Sequence, residues 1–237
     1  MEVIESTGLR QIHMIIPAMK KPAYLEEAAW SRAVVECCQA FISLNVAKVT
    51  LVSNPSMRNA VGQLKEASNF HFVELNYQPK GALASACMGL ASSQSGSGLA
   101  IGLCPGDTLV TSGLEDVLDQ FIDSSSKCTV VAFEIPQASA DSSWSYVHMV
   151  GDRTSRIAQI AEGSPSSQIA TSGIFLFRDA EIFLASAKWC FVNQTTSNNQ
   201  YFASSAVNFL IAREEHVEMK LVARNTFEKL GREAAAQ

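Results

Sequence analysis

"IGLCPGDTLV", residues 101–110, is an apolar run that breaks at Pro105-Gly106-Asp107 and then resumes. A run this short, bounded by turn residues, reads as a strand buried on both faces. It leaves a carboxylate where the strand exits. Pro-Gly-Asp is ordinary turn chemistry, so Asp107 either satisfies the turn or holds a metal ion over a ligand. The choice depends on the kind of sheet to which the strand belongs.

Working outward, "IHMIIPA" (12–18), "KVTLVS" (48–53) and "FHFVEL" (70–75) read as further strands. Between them lie helical patterns in "YLEEAAWSRAVVECCQAFISL" (24–44), in the stretch from Asn54-Pro55 to Lys65, and in "GALASACMGLASS" (81–93). Asn54 supplies an N-cap and Pro55 a first-turn proline. "SQSGSG" (93–98) reads as a turn, "GLEDVLDQFIDS" (113–124) as a helix and "CTVVAFEI" (128–135) as a strand. Alternation of this kind, at about 20 to 30 residues per step, predicts an α/β fold: a mostly parallel, doubly wound sheet with helices on both faces.

The character changes after Pro136. "SWSYVHMVGDRTSRIAQIAE" (143–162) predicts an antiparallel hairpin inserted in the sheet and turning at Gly151-Asp152. "SGIFLFR" (172–178) and "HVEMKLV" (216–222) read as strands, "DAEIFLASAKW" (179–189) and "YFASSAVNFLIARE" (201–214) as helices. No linker or repeat divides the chain. We therefore expect one domain over 1–237, with a core at 11–135 and a second half at 136–237. Open sheets of this kind bind ligands beyond the carboxyl ends of their strands, and Asp107 stands at such an end.

Composition narrows the function classes. Apolar residues make up 47% and charged residues 17%, enough for a sizeable core. No apolar stretch reaches the roughly 18 residues of a membrane span, and "MEVIESTGLRQ" does not read as a secretory signal. The formal charge of −5, with scattered basic residues, argues against a nucleic-acid surface. Six cysteines without a C-x-x-C pair read as small buried hydrophobes of a reducing compartment, and a cytoplasmic setting is expected. His13, His71, His148 and His216 fall in strand-like segments far apart, without metal-ligand spacing.

Five stretches stand in order: "FVELNYQPKGALASACMGL", "LAIGLCPGDTLV", the hairpin continuing through "EGSPSSQIATSGIFLFRDAEIFLASA", "NNQYFASSAVNFLIAREEHVEMKLV" and the final "FEKLGRE". Together they resemble the sugar-phosphate nucleotidyltransferases, in the branch found with capsule and surface-polysaccharide genes. The resemblance runs from Ile12 to Gly231. It implies a Rossmann-like, GT-A-type sheet. It also implies a reaction joining a sugar 1-phosphate to a nucleoside triphosphate with release of pyrophosphate. The partners implied are a small nucleotide and a sugar phosphate, with no nucleic acid or membrane and with room for a homo-oligomer.

Residue by residue, the resemblance places Asp107 and Asn208 at a Mg²⁺ ion. Pro17, Ala18, Lys80, Gly81, Ser85 and Gly106 fall on the nucleotide side, and Glu162 and Gly173 on the sugar side. Gly81 would let the nucleotide approach the backbone. On the residues alone each position also has a structural reading: a turn carboxylate, a helix-start glycine, a helix serine, a strand-end carboxylate, a packing glycine. A buried Asn208 needs hydrogen-bond partners in either reading.

The departures bear on activity. The family's first strand runs into a glycine-rich loop whose amides wrap the triphosphate. Here the stretch is "IIPAMKKPAYL", without glycine. Lys20 and Lys21 are left as the candidate catalytic cations, with Pro22 matching the family proline, or else as a solvated dilysine. The lysine expected after Glu162 is Gly163. Two alternatives follow: a degenerate member that binds a nucleotide sugar or a partner without turnover, and a GT-A glycosyltransferase. The latter usually needs an Asp-x-Asp, where "PGDTL" offers one carboxylate.

Overall fold

The computed structural model describes residues 8–21, 25–93, 98–110, 112–136, 140, 142–151 and 156–229. Pro22, Asp152, most of "SQSGSG" and the chain beyond Lys229, including Gly231, lie outside them.

The chain begins with β1 (Arg10–Ala18), α1 (Glu27–Ser43), β2 (Val46–Ser53) and β3 (Phe70–Glu74). It continues with α2 (Ala82–Ser92), β4 (Ala100–Leu103), β5 (Thr108–Val110), α3 (Glu115–Asp123) and β6 (Cys128–Glu134). The second half adds β7 (Ser145–Met149), β8 (Ile157–Glu162), β9 (Ile169–Phe177), α4 (Ala180–Val192), α5 (Ala203–Ala212), β10 (Val217–Leu221) and β11 (Phe227–Lys229).

One sheet takes strands from both halves in the order β10-β6-β9-β4-β1-β2-β3, with β7 pairing both β8 and β9. The pairs of β1 with β2 and β4, of β2 with β3 and of β6 with β10 are parallel. β9 runs antiparallel between β4 and β6. The fold is thus the expected mostly parallel α/β sheet with an antiparallel hairpin. The strand "SGIFLFR" lies inside the sheet between β4 and β6, starts earlier than its apolar core suggests, and ties the halves together.

Burial follows the pleat. Ile12, Met14, Ile16 and Ala18 of β1 face a layer containing α1 and α3. Ile15, between them, faces the layer of α2, α4 and α5. Cover on both sides explains why the central strands are continuously apolar. Five of the six cysteines are buried and none is in a disulfide among the described residues.

Two features depart from what the sequence suggests, one expected otherwise and one unforeseen. The helix from Asn54 to Lys65 is two 3₁₀ turns, Pro55–Arg58 and Gly62–Glu66. Asn54 caps as expected, its side chain accepting from the Ser56 amide at 2.9 Å. The poor helix formers Asn59 and Gly62 then favour tight turns that still bury Met57, Val61 and Leu64. The other miss is the small antiparallel pair of β5 and β11. Strands of three residues carry no readable period.

Candidate functional site

Beyond the carboxyl ends of β1 and β4, two recesses meet. One, of about 210 Å³, reaches under the hairpin to Trp144, Glu162, Gly173 and Ser204. The other, of about 240 Å³, runs beside the start of α2 to Lys20, Gln78, Gly81 and Ser85. Pro17, Ala82, Pro105, Asp107 and Phe202 line both. Asp107, partly exposed, therefore stands where the recesses join.

The loop carrying Asp107 is fixed by backbone contacts that leave its carboxylate to the crevice. The Cys104 amide donates to Ile15 O at 3.1 Å and the Gly106 amide to Pro17 O at 3.3 Å. A Cβ on Gly106 would come within 2.6 Å of the Ala18 Cβ, so this glycine lets the loop lie against β1. Ala18 itself is buried, its carbonyl accepting from the Ser53 hydroxyl at 2.6 Å. It lines neither recess, and its place is in the packing behind Gly106. Burial pushes the Cys104 thiol well up, helped by Cys37, whose sulfur is 3.8 Å away, and by the Asp107 charge. Cys104 is no nucleophile.

Gly173 has φ +83°, and a Cβ there would meet Pro105 Cγ at 2.4 Å. It packs the start of the apolar part of β9 under the Asp107 loop while lining the recess. Glu162, at the end of β8, is held by the Ser204 hydroxyl, which donates to Oε1. Gly163 has φ +64° and its amide donates to Trp144 O at 3.1 Å. That left-handed turn suits glycine at the position where the sequence reading expects a lysine.

Gly81 lines its recess, but the structure gives its conformation another cause. With φ +98°, a Cβ would lie 2.4 Å from the Tyr201 carbonyl oxygen. Tyr201 crosses here as a strap: its amide donates to Lys80 O at 2.9 Å and its carbonyl accepts from the Leu83 amide at 3.1 Å. Ser85 closes the same turn, its hydroxyl donating to Gly81 O at 3.1 Å. Lys80 contributes its carbonyl to the strap, and its side chain is exposed.

The cations divide. Lys20 lines the recess at Gly81. Lys21 donates to the Leu25 carbonyl in its own connection. Asn208 is not brought to Asp107. Its side-chain oxygen accepts from the Ile160 amide and its nitrogen donates to the Ile160 carbonyl, both at 2.8 Å. Both amide functions are spent clamping α5 to β8, the structural alternative left open by its sequence. Reading the chain alone misses Trp30, Gln78, Gln200, Phe202 and Ser204, which line the recesses. Ordinary helix and loop positions give them no signal.

No group of three or more His, Cys, Asp or Glu able to hold an ion occurs among the described residues. Magnesium usually binds through one or two carboxylates plus substrate phosphates and retained water. Asp107 fits such an ion if the ion arrives with a triphosphate, and does not fit a caged resident metal.

The sequence profile described as "Nucleotidyl transferase" matches residues 21–225. A search of curated proteins finds no significant match. Among solved structures, the chain is similar to a nucleoside-diphosphate-sugar pyrophosphorylase from Vibrio cholerae RC9. The TM-score is 0.71 at 18% identity, over 92% of this chain and 96% of that one. A Bacillus anthracis protein assigned as a glucose-1-phosphate thymidylyltransferase, solved in complex with a sucrose, matches with TM-score 0.66 at 13% identity. That match covers 89% of this chain and 87% of that one. At these identities the structural likenesses speak for the fold.

Proposed function

The chain belongs to the nucleotidyl transferase family, and from that premise we propose that it acts as a single domain transferring a nucleotidyl group from a nucleoside triphosphate to a sugar 1-phosphate. An acceptor phosphate oxygen bonds to the α-phosphorus as the bond to the bridging β-phosphate oxygen breaks, and pyrophosphate leaves. The observation that carries this reading is the shared wall: Asp107 lines both the recess at Gly81 and the recess at Glu162. An in-line displacement needs two anionic partners meeting at one point, with charge stabilisation there.

In this reading the recess at Lys20, Gln78 and Gly81 takes the nucleotide, and Lys20 faces its phosphates. The recess at Glu162 takes the sugar, the carboxylate oriented by Ser204 toward hydroxyl donors. Asp107 would hold Mg²⁺, which when bound neutralises the charge of the phosphates. The backgrounds we favour are nucleotide-sugar and surface-polysaccharide biosynthesis, in the cytoplasm. No described helix is long and apolar enough to cross a membrane.

The test is pyrophosphate release from each nucleoside triphosphate with Mg²⁺ and a panel of sugar 1-phosphates. Asp107→Asn should lower kcat/KM by about a hundredfold or more while leaving the folding transition in place. Absence of pyrophosphate under every combination removes the catalytic reading.

A second reading, nucleotide-sugar binding without turnover, is favoured by the connection from β1 to α1. It contains no glycine, and Lys21 is turned to the Leu25 carbonyl. This reading expects saturable binding of a nucleoside diphosphate sugar, with no pyrophosphate formed.

A further inference from the structure

We infer that the outer face of α4 is a self-complementary dimerisation surface, taking the same helix of a second copy antiparallel across a two-fold axis at Leu184–Ala185. The inference concerns the face of the molecule covered by α2, α4 and α5 and does not depend on the catalytic reading.

α4 buries Phe183, Ser186, Ala187 and Cys190 against the sheet. Its other side presents Glu181, Leu184, Ala185, Lys188, Trp189 and Val192, all exposed. Their spacing of three and four residues makes one stripe along the helix. Its apolar members are large and open: Leu184 is 45% exposed, Trp189 38% and Val192 71%. Three of the chain's exposed large hydrophobic side chains thus share a single helical face. The neighbouring helices widen the patch. Trp189 lies against Phe209 of α5 with ring centroids 5.2 Å apart, and α2 carries the exposed Met88. A contiguous apolar patch of this kind marks an interaction surface.

Charge identifies the occupant. The stripe has one acid and one base, Glu181 and Lys188, two turns apart. Neither takes part in an ion pair among the described residues. A two-fold axis perpendicular to α4, midway between them, sets Glu181 of each copy against Lys188 of the other. The same operation brings Leu184 against its own copy at the axis. The small Ala185 in the central row allows close approach, and Trp189 flanks the contact. Two-fold interfaces require this kind of self-complementarity, in which each residue meets its counterpart's partner.

Sedimentation velocity on the purified full chain tests the inference. The wild type should sediment as a dimer, and Leu184→Glu as a folded monomer with an unchanged circular-dichroism melt. Glu181→Lys and Lys188→Glu should each weaken dimerisation by roughly tenfold, because two cross-pairs are lost at once. The double reversal, Glu181→Lys with Lys188→Glu, should restore it. That rescue separates a specific two-fold contact from general stickiness of the patch. A wild-type chain that stays monomeric overturns the proposal, as does a dimer indifferent to Leu184→Glu or a double reversal no better than either single change.

Discussion

Glycine 81 shows how one residue can suit two explanations that predict different experiments. If it served only to admit a nucleotide, an added methyl group would harm binding and leave the empty protein alone. The strap of Tyr201, whose carbonyl would lie 2.4 Å from a Cβ in a backbone conformation with φ +98°, says otherwise. We predict that Gly81→Ala destabilises the ligand-free chain by about 2–3 kcal/mol, combining left-handed strain with a backbone clash. Urea denaturation reads this directly, and an unchanged midpoint would return the glycine to a purely ligand-facing role. Gly173→Ala should cost a similar amount, about 2 kcal/mol, through the 2.4 Å approach to Pro105. It should also disturb the Asp107 loop, so its activity should fall further than its stability. At this scale the sequence was a fair guide to which residues gather: Pro17, Lys20, Gly81, Ser85, Gly106, Asp107, Glu162 and Gly173 all line the paired recesses. It misled where a residue's reason is another part of the backbone. Asn208 clamps Ile160, and nothing in "YFASSAVNFLI" tells an amide aimed at a crevice from one aimed at a strand.

Elements were legible in proportion to their length and to the cover on their faces. β1, buried on both sides, and α1, with its long amphipathic period, could be read directly. The turns from Pro55 to Glu66 and the three-residue strands could not, because tertiary contacts decide them. The place of β9 between β4 and β6 was also hidden, since an apolar strand looks the same inside a sheet whichever way it runs. What holds the layers in register is partly a single side chain. Arg10, at the start of β1 and 4% exposed, donates to Asp119 of α3 at 2.6 and 2.8 Å and to Leu44 O, just past α1, at 2.5 Å. The bidentate pair draws the Asp119 carboxyl below its ordinary value, the hydrogen bond to Arg10 being the main cause. Because Asp119 is 52% exposed, the pair itself is partly screened. Most of the cost of losing it comes from the buried guanidinium side. We predict that Arg10→Lys, which keeps the charge but not the planar fork, loses about 1–2 kcal/mol. Asp119→Asn should lose less at neutral pH. The Asp119 contribution is present above the ordinary carboxylate range and disappears as pH falls through the depressed folded value. Asp119→Asn should therefore converge with wild type only in acid, whereas Arg10→Lys, which also disturbs the pH-independent bond to Leu44 O, should stay below it.

For the molecule as a whole, a sheet covered on both sides has put an ionisable ring where water does not reach. His13 on β1 is fully buried, its Nε2 2.7 Å from the Thr50 hydroxyl of β2. Burial pulls it down to about 3, with the nearby Lys48 charge and His71 adding to the effect. His71, on β3 and less enclosed, is lowered for the same first reason. The sign follows from linkage. The unfolded chain takes up a proton near pH 6.5, whereas the folded chain refuses it until about pH 3. Stability is complete above the unfolded value and drains away as the pH descends toward the folded one. The slope approaches about 1.4 kcal/mol per pH unit for one fully linked proton. Carboxylates join below about pH 5, so the clean window runs from about pH 6.5 down to 5. Denaturation free energies measured across that window should fall for the wild type and should be markedly flatter for His13→Gln. That variant will begin from a lower absolute stability, but the comparison is between slopes, which a packing defect does not alter. Parallel slopes would mean that the ring is protonated inside the fold, and that the layered core admits water or a counter-charge beside β1.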